Sequence, residues 1–282
     1  MTNESALPMS PHFSPRTTAA LDGVPSQDFG AVLRHHGLLP QPPDAASLGI
    51  RQSSFVIPHA TTILAFKFAD GVLVAGDRRA TAGNTIMYDR ADKVLEIDRH
   101  SLMAIAGVPA TAWEMARVLE HSFHFFRRTQ LAEMSLEGKV RALSKLLRDN
   151  LGFVLQGVGV VVPIFATFDA AAEIPRVYFY DPMGAQFEAA DFAATGSGSP
   201  AVRAVLHFEN TYARKPLRKL KGSEAVLLAL RALDTAAESD SATGGVDRRA
   251  RVFPLVKLIT SSGIETLPET RLAKLYKANL TD

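Results

Sequence analysis

Hydrophobic and polar positions divide the chain into two parts that meet near residue 60. Up to residue 58 there is no sustained period of two or about 3.6 residues, and only residues 29–39 have the pattern of a short helix. At Thr61 the pattern changes abruptly. The run TTILAFKF is β-branched and apolar, which predicts a strand.

After Thr61, short apolar runs predict strands, and apolar positions three and four apart predict helices. The predicted strands are 61–68, 72–75, 93–97, 101–106, 160–168, 176–180, 187–194 and 253–260. The predicted helices are 110–128, 135–156, 200–212, 223–238 and 269–279. Strands and helices come in runs, which favours layered antiparallel sheets. The expected fold class is α+β, a four-layer αββα sandwich of two antiparallel sheets flanked by helix pairs.

The first 58 residues hold eight of the chain's 16 prolines. This composition is typical of a disordered tail. A segment that acts before or during maturation is the second interpretation, and composition alone leaves both open.

Composition excludes several classes of function. The chain of 282 residues is 47% hydrophobic, enough for a sizeable core, and contains no cysteine. Thiol catalysis, thiolate metal sites and disulfides are therefore excluded. The formal net charge of +2 offers no bulk attraction to nucleic acid or an anionic membrane. The eight histidines, including His121 and His124, show no metal-ligand spacing, so no metal is expected.

The sequence also lacks membrane and export signals. No apolar run reaches the roughly 18 residues of a membrane span, and the N-terminus does not resemble a secretory signal. The absence of cysteine fits a reducing compartment. A cytoplasmic protein is expected.

A hairpin is predicted next to Thr61. The dipeptide at 70–71 is a turn signal between the first two strands, so paired residue numbers should sum to about 141. This pairing brings Thr61 near Arg79 or Ala80, with Asp77 a residue or two away. The start of the first strand and the polar stretch GDRRAT therefore meet at one end of the sheet.

Thr61 is a candidate nucleophile. A threonine hydroxyl is a weak nucleophile and needs a neighbouring base. If the chain is cut before Thr61, the new α-amine, with a reference pKa of about 7.7–8, can accept the hydroxyl proton near neutral pH. A Thr-Thr pair is also ordinary strand sequence, so it does not establish such a site by itself.

Longer motifs carry a resemblance to a known family. The segment TTILAFKFADGVLVAGDRRATAGNTI resembles the start of mature proteasome β subunits. The resemblance continues in order with the strand that begins at Lys93, the pair AG at 106–107, TGSGSP at 195–200 and DSATGG at 240–245. Each motif alone is weak, but together, at family spacing from Thr61 to the C-terminus, they are specific.

The resemblance implies a threonine peptidase of the N-terminal-nucleophile superfamily. Thr61 would attack the scissile carbonyl, with its own amine as proton acceptor and donor. Lys93 would be a nearby ammonium held by Asp77. Gly107 would donate its backbone N–H to the oxyanion. The implied polar network around the Thr61 amine consists of Ser197, Asp240 and Thr243. The family usually has serine at the last of these positions, and both side chains carry a hydroxyl.

The resemblance also implies substrate-binding positions. These are Arg79, Ala80, Thr81, Ile105 and Pro109, with Ala91 and Leu95 nearby. The pocket positions among them are small or apolar, which predicts cleavage after residues such as leucine, tyrosine or phenylalanine. Substrate backbone is expected to pair as a strand with Thr81 and Gly107.

The resemblance further implies the organisation and partners of the chain. Residues 1–60 would be a removable propeptide, and residues 61–282 the mature catalytic domain. The mature chain would join stacked seven-membered rings of α and β subunits in a 20S core that degrades unfolded proteins supplied by a separate ATPase unfoldase. No cofactor, nucleic acid or membrane partner is expected.

The cleavage site between Ala60 and Thr61 departs from the family, which usually has glycine before the nucleophile. Self-cleavage needs a tight turn that brings the Thr61 hydroxyl onto the preceding carbonyl. Glycine reaches such conformations cheaply, whereas alanine is penalised at positive φ. Ala60 is expected to slow maturation without blocking it.

Two other functions remain open from the sequence. An HslV-type peptidase shares the fold and the nucleophile, but it is shorter, lacks a long propeptide and forms six-membered rings. The other is a non-catalytic ring subunit that retains its propeptide. Such subunits usually lose the threonine, lysine or aspartate, all present here as Thr61, Lys93 and Asp77, but Ala60 keeps this alternative open.

Each motif also has an ordinary structural interpretation. Residues 77–79 are typical of a solvated turn, and Lys93 is typical of a surface lysine on an edge strand. Ser199 before Pro200 predicts a helix N-cap, which is compatible with a role for Ser197.

Overall fold

The computed structural model describes residues 61–82, 85–247 and 252–280, together with residue 33. Its strands form two five-stranded antiparallel sheets and one two-stranded sheet. The first sheet, in the order β10-β1-β2-β11-β12, contains β1 Thr62–Phe68, β2 Gly71–Gly76, β10 Phe192–Gly196, β11 Leu255–Thr260 and β12 Gly263–Thr266. The second, in the order β5-β6-β7-β8-β9, contains β5 Val94–Asp98, β6 Ser101–Ala104, β7 Ile164–Asp169, β8 Ile174–Tyr180 and β9 Gln186–Glu188. The small sheet pairs β3 Ala80–Ala82 with β4 Thr85–Tyr88.

Helices cover the outer faces of the two large sheets. They are α1 Pro109–Gln130, α2 Leu136–Asp149, α3 Leu151–Leu155, α4 Ser199–Tyr212, α5 Gly222–Ser239 and α6 Glu269–Leu280, with a 3-10 turn at Leu217–Lys219. α1 and α2 pack on the second sheet, and α4, α5 and α6 pack on the first.

Three apolar clusters separate the layers. Strand β1 is buried on both faces, so its side chains alternate between two clusters. Ile63 and Ala65 face the second sheet, whereas Leu64 and Phe66 face α4, α5 and α6. A third cluster fills the space between the second sheet and the pair α1 and α2. The four-layer αββα sandwich predicted from the sequence is confirmed.

The hairpin register differs from the prediction by two residues. Ile63 pairs with Gly76, so paired numbers sum to 139, and the two turn residues are Ala69 and Asp70. Gly71 already belongs to β2. A Cβ atom there would stand 1.9 Å from the carbonyl oxygen of Ile259 on β11. This glycine therefore permits strand packing and does not form the turn, which explains the error.

Several predicted boundaries were wrong for identifiable reasons. The helix predicted over residues 135–156 is interrupted at Asn150, whose side chain donates to the Gly159 carbonyl at 2.7 Å. The strand predicted over 187–194 is two strands in different sheets, β9 and β10. The hairpin β3–β4 was missed because β4 is exposed throughout and shows no alternation. Ser199 begins α4, and its N-cap is Gly198, one residue earlier than predicted.

Within the described residues, no helix has the length and apolar character needed to cross a membrane. Residues 1–60 lie outside that part of the chain, apart from residue 33, so the predicted propeptide and Ala60 stay predictions.

Candidate active site

Thr61 lies directly before β1 at one end of the first sheet and is 4% exposed. Its carbonyl oxygen accepts a hydrogen bond from the Ser197 N–H at 3.0 Å. At Gly196 φ is +99°, and a Cβ atom would stand 1.7 Å from the Thr61 carbonyl oxygen. Only glycine therefore lets the TGSGSP segment approach Thr61 this closely.

Asp77 follows β2 and is fully buried. Its Oδ1 accepts hydrogen bonds from the Thr62 N–H at 2.7 Å and from Lys93 Nζ at 2.8 Å. Its Oδ2 accepts from the Arg79 N–H at 2.9 Å and the Gly244 N–H at 3.0 Å. These four donors hold the carboxylate in one orientation, with Oδ1 directed at Lys93.

Lys93 precedes β5 and is 5% exposed. Besides Asp77, its Nζ contacts the Arg79 carbonyl oxygen at 2.5 Å. Burial lowers the pKa of Lys93 below its ordinary value of 10.5, against the attraction of Asp77, which raises the pKa. The interpretation of Lys93 as a surface lysine beside a solvated turn is therefore wrong. The lysine is instead an oriented, buried cation that shares Asp77 Oδ1 with the backbone of Thr62.

Asp240 is the C-cap of α5, and its carboxylate accepts hydrogen bonds from two hydroxyl groups. Its Oδ2 accepts from Ser197 Oγ at 2.6 Å and from Thr243 Oγ1 at 2.5 Å. Burial alone would raise the pKa of Asp240, but these hydrogen bonds outweigh it and hold the pKa below the ordinary 3.8. The Arg79 guanidinium fixes this loop by donating to the carbonyls of Ser241 and Thr243 at 2.9 and 3.2 Å.

Sequence-based prediction missed Thr62, whose side chain completes this network. Thr62 Oγ1 lies 2.6 Å from Thr243 Oγ1 and accepts from the Gly198 N–H at 2.9 Å. The only signal in the sequence is its place directly after Thr61, where strand propensity explains a threonine equally well.

Gly107 has a backbone conformation that favours glycine. Its φ is +111°, and a Cβ atom would stand 2.0 Å from the Val160 carbonyl oxygen. Gly107 forms an isolated antiparallel bridge with Val161, in which the flanking Val108 N–H donates to the Val160 carbonyl at 2.8 Å. In this pattern the N–H of Gly107 itself points away from Val161.

The predicted substrate-binding positions lie in several parts of the fold. Ala80 and Thr81 lie in β3, which pairs with β4 alone within the described residues and so has a second edge open to another strand. Arg79 precedes this strand, and its side chain is used by the loop at 241–243. Ile105 is buried in the cluster beneath α1 and α2.

The other predicted pocket positions lie in different surroundings. Pro109 is half-buried and begins α1, and Ala91 is buried. Leu95 lines a cavity of about 420 Å³ together with Trp113 of α1. Charged side chains share the wall of this cavity, among them Glu96 and Lys257, which are paired at 2.9 Å.

Hydrogen bonds therefore bring together residues from five separate segments at one end of the molecule. The candidate catalytic residues among them are Thr61, Asp77, Lys93, Ser197, Asp240 and Thr243. They supply a threonine, a buried ammonium with its carboxylate, and two hydroxyls on a second carboxylate. Within the described residues, no group of three or more His, Cys, Asp and Glu side chains is arranged to hold a metal ion. The arrangement of these candidate residues is suited to activating a threonine hydroxyl and to transferring its proton.

Comparisons with known proteins give matches to one family along most of the chain. The family model described as "Proteasome subunit" matches residues 57–250. The "Proteasome subunit beta 2" of Thermomonospora curvata is 42% identical over 223 residues, covering 79% of this chain and 77% of the relative. The "Proteasome subunit beta 1" of Streptomyces avermitilis is 40% identical over 255 residues, covering 88% and 83%. The "Proteasome subunit beta" of Streptomyces griseus is 37% identical over 243 residues, covering 84% and 82%.

Proposed function

Since the chain belongs to the proteasome subunit family and resembles its β subunits, we propose that it is a catalytic β subunit, a threonine-type endopeptidase of the 20S core. One observation carries this proposal. Thr61 directly precedes β1, whose first residue, Thr62, is hydrogen-bonded to Asp77 of the Lys93–Asp77 pair and to Thr243 of the Thr243–Asp240 pair. The presence of Thr61, Lys93 and Asp77 together argues against a ring subunit without activity, since such subunits usually lose one of these residues.

Maturation is the first step of the proposed chemistry. The Thr61 hydroxyl attacks the Ala60 carbonyl carbon, and the peptide bond is replaced by an ester while the Thr61 nitrogen takes up a proton. Water then hydrolyses the ester. Residues 1–60 leave with a new carboxylate, and Thr61 gains a free α-amine.

Peptide hydrolysis repeats the same sequence on a substrate. The α-amine takes the hydroxyl proton as Thr61 Oγ1 bonds to the scissile carbonyl carbon. The Gly107 N–H donates to the resulting oxyanion. The amine then gives its proton to the leaving nitrogen, which produces an ester, and water attacks this ester with the amine again as base.

The charged residues have distinct proposed roles. Lys93 as an ammonium disfavours a second positive charge on the amine, so it keeps the amine available as a base. Asp77 holds Lys93, while Ser197, Asp240 and Thr243 surround the amine with oxygen atoms. Substrate backbone pairs with the open edge of β3, and small or apolar positions such as Ala80 favour apolar residues before the cut.

Family membership supports the wider setting of this proposal. We infer assembly with α subunits and other β subunits in stacked seven-membered rings, in the cytoplasm, with unfolded proteins delivered by a separate ATPase. The three relatives reported above are named as proteasome β subunits, which favours this assembly over an HslV-type peptidase.

The deciding experiment combines intact mass with a peptidase assay on the chain assembled with its α subunit. We expect the wild-type chain to lose residues 1–60 and to cleave fluorogenic peptides after leucine or phenylalanine faster than after arginine or glutamate. Thr61→Ala should retain residues 1–60 and lose activity. Thr129→Ala, which changes an exposed threonine on α1, is the matched control. An uncleaved, inactive wild-type chain in a stable ring would instead support the scaffold function.

A further inference from the structure

The side chain of Thr62 has no role in the reaction as described so far, yet it occupies the centre of the site. It is fully buried on the first residue of β1. Its backbone N–H donates to Asp77, while its hydroxyl contacts Gly198 and Thr243. Thr62 is thus hydrogen-bonded to both halves of the site, the carboxylate that holds Lys93 and the hydroxyl network.

The direction of each hydrogen bond in this network follows from its two ends. At one end the Gly198 N–H can only donate, so Thr62 Oγ1 accepts from it. At the other end Asp240, ionised at neutral pH, can only accept, so the Thr243 hydroxyl donates to it. The remaining contact, Thr62 Oγ1 to Thr243 Oγ1 at 2.6 Å, must then use the Thr62 proton. The chain of donors runs from Gly198 through Thr62 and Thr243 to Asp240.

This direction determines what Thr243 offers to its surroundings. A hydroxyl has one proton and two acceptor lone pairs. The Thr243 proton is committed to Asp240, and one lone pair receives the Thr62 proton, so one lone pair is left for a further donor. Ser197 likewise commits its proton to Asp240. Both hydroxyls therefore present acceptors to any neighbouring N–H group.

Packing holds this contact in place. A Cβ atom on Gly198 would stand 2.6 Å from both Thr62 Oγ1 and Thr243 Oγ1. Gly198 has an ordinary φ of −83°, which any residue can adopt. A glycine is therefore needed here because a side chain would disturb the contact between the two hydroxyls. The two hydroxyls meet in a space that admits no additional carbon atom.

We propose that Thr62 is a positioning residue for the nucleophile, and this inference rests on the proposed function. Its hydroxyl orients Thr243 so that a lone pair faces the α-amine of Thr61, and this lone pair accepts an N–H of the amine. The amine's own lone pair is thereby left for the Thr61 hydroxyl proton. Because Thr62 is buried and does not meet substrate, its loss should lower kcat and leave KM unchanged.

The test compares Thr62→Val, which keeps the shape and removes the hydroxyl, with Thr62→Ser, which keeps the hydroxyl. In the assembled enzyme, kcat is normalised to the chains that intact mass shows to begin at Thr61. We expect Thr62→Val to lower kcat about tenfold with KM within about twofold, and Thr62→Ser to restore kcat to within about threefold. Thr167→Val is the matched control, since it removes a buried hydroxyl at the far end of the second sheet.

One further variant keeps the inference testable if Thr62→Val assembles poorly. Gly198→Ala should reproduce the loss in kcat, because its methyl group separates the two hydroxyls. In a double-mutant cycle with Thr243→Ala, the effect of Thr62→Val should largely disappear, because its partner is already gone.

The outcomes separate this inference from the proposed function. If Thr61→Ala is inactive while Thr62→Val matches Thr167→Val in kcat, the role of Thr62 is overturned and the peptidase stands. The same conclusion follows if Thr62→Ser fails to restore kcat, or if Thr62→Val and Thr243→Ala act additively. If Thr61→Ala remains active, the proposed function itself fails.

Discussion

At the scale of single residues, the Lys93–Asp77 pair is the main electrostatic feature of the site, with Nζ 2.8 Å from Oδ1. Removing one partner of a buried pair leaves an uncompensated charge and typically costs about 3–5 kcal/mol. Such a pair is weak evidence for stability by itself. Its position beside the residue that follows Thr61 instead supports the proposed action of the ammonium on Thr61.

The pH dependence of kcat/KM should show the titration of the α-amine and of Lys93. We expect an acid limb near the α-amine pKa, about 8 or lower, because the protonated amine cannot accept the hydroxyl proton. Asp240 does not set this limb, since its pKa lies below 3.8 and it stays ionised there. An alkaline limb should lie below pH 10.5, because burial lowers the pKa of Lys93 and the proposed role needs its ammonium form.

Asp77→Asn should move the alkaline limb to lower pH and reduce kcat about 100-fold or more, because Asp77 raises the pKa of Lys93 in the wild-type chain. The measurement is kcat/KM against pH for the assembled enzyme. Asp92→Asn, at an exposed carboxylate next to Lys93 in sequence, is the control and should leave the limb in place. An unmoved limb in Asp77→Asn would show that Lys93 does not control the reaction.

At the scale of elements, the register of β1 and β2 assembles the site. Ile63 pairs with Gly76, so the next pair outward is Thr62 with Asp77, and these residues exchange hydrogen bonds of 2.7 and 3.0 Å. A slip of one residue would turn every side chain of β1 to the opposite face. The core on both faces of β1 therefore also determines the position of Thr61.

Gly71→Ala should test this dependence on sheet packing. The added methyl group would meet the Ile259 carbonyl, so β2 and β11 must separate, at a cost of about 1–3 kcal/mol. We expect a lower melting temperature for the purified chain. Gly222→Ala is the control, because its nearest neighbours would lie 3.9 and 4.0 Å away, at ordinary contact distance. Equal melting temperatures would mean that the strands adjust freely here.

At the scale of the whole molecule, the candidate site occupies one end of the sandwich and a separate cavity lies at the other. Thr61, Lys93 and Asp240 lie at one end of the sandwich. A cavity of about 920 Å³ lies at the other, beside the turns at His100 and Ser262. The far end of the second sheet and of its helices thus contributes no side chain to the candidate site.

Maturation should depend on the residue before the nucleophile. If the attacked turn needs positive φ at Ala60, alanine costs about 1–2 kcal/mol, or roughly 5–30-fold in rate. Ala60→Gly should therefore shorten the time in which intact mass shows loss of residues 1–60 from the assembled chain. His59→Gly adds the same flexibility one residue earlier and should not accelerate processing. Equal rates for Ala60→Gly and the wild-type chain would contradict the role assigned to Ala60.

Much of this protein follows from local pattern. Apolar runs located most strands of both large sheets, and three- and four-residue spacing located the long helices, because these periods reflect burial directly. Elements with little burial contrast, such as β4, were missed for the same reason. Thr61, Asp77 and Lys93 stood out because ordered motifs surround them.

The sequence by itself thus determined the layers and the candidate nucleophile, since both rest on residues close together in the chain or on motifs in fixed order. Only the tertiary structure decided which residues of the site are hydrogen-bonded to one another. Thr62 and Thr243 are 181 residues apart, and the hairpin register that aligns Thr62 with Asp77 depends on a glycine packed against a third strand. Hydrogen bonds between distant segments leave no period in the sequence, because their geometry is set by packing in three dimensions.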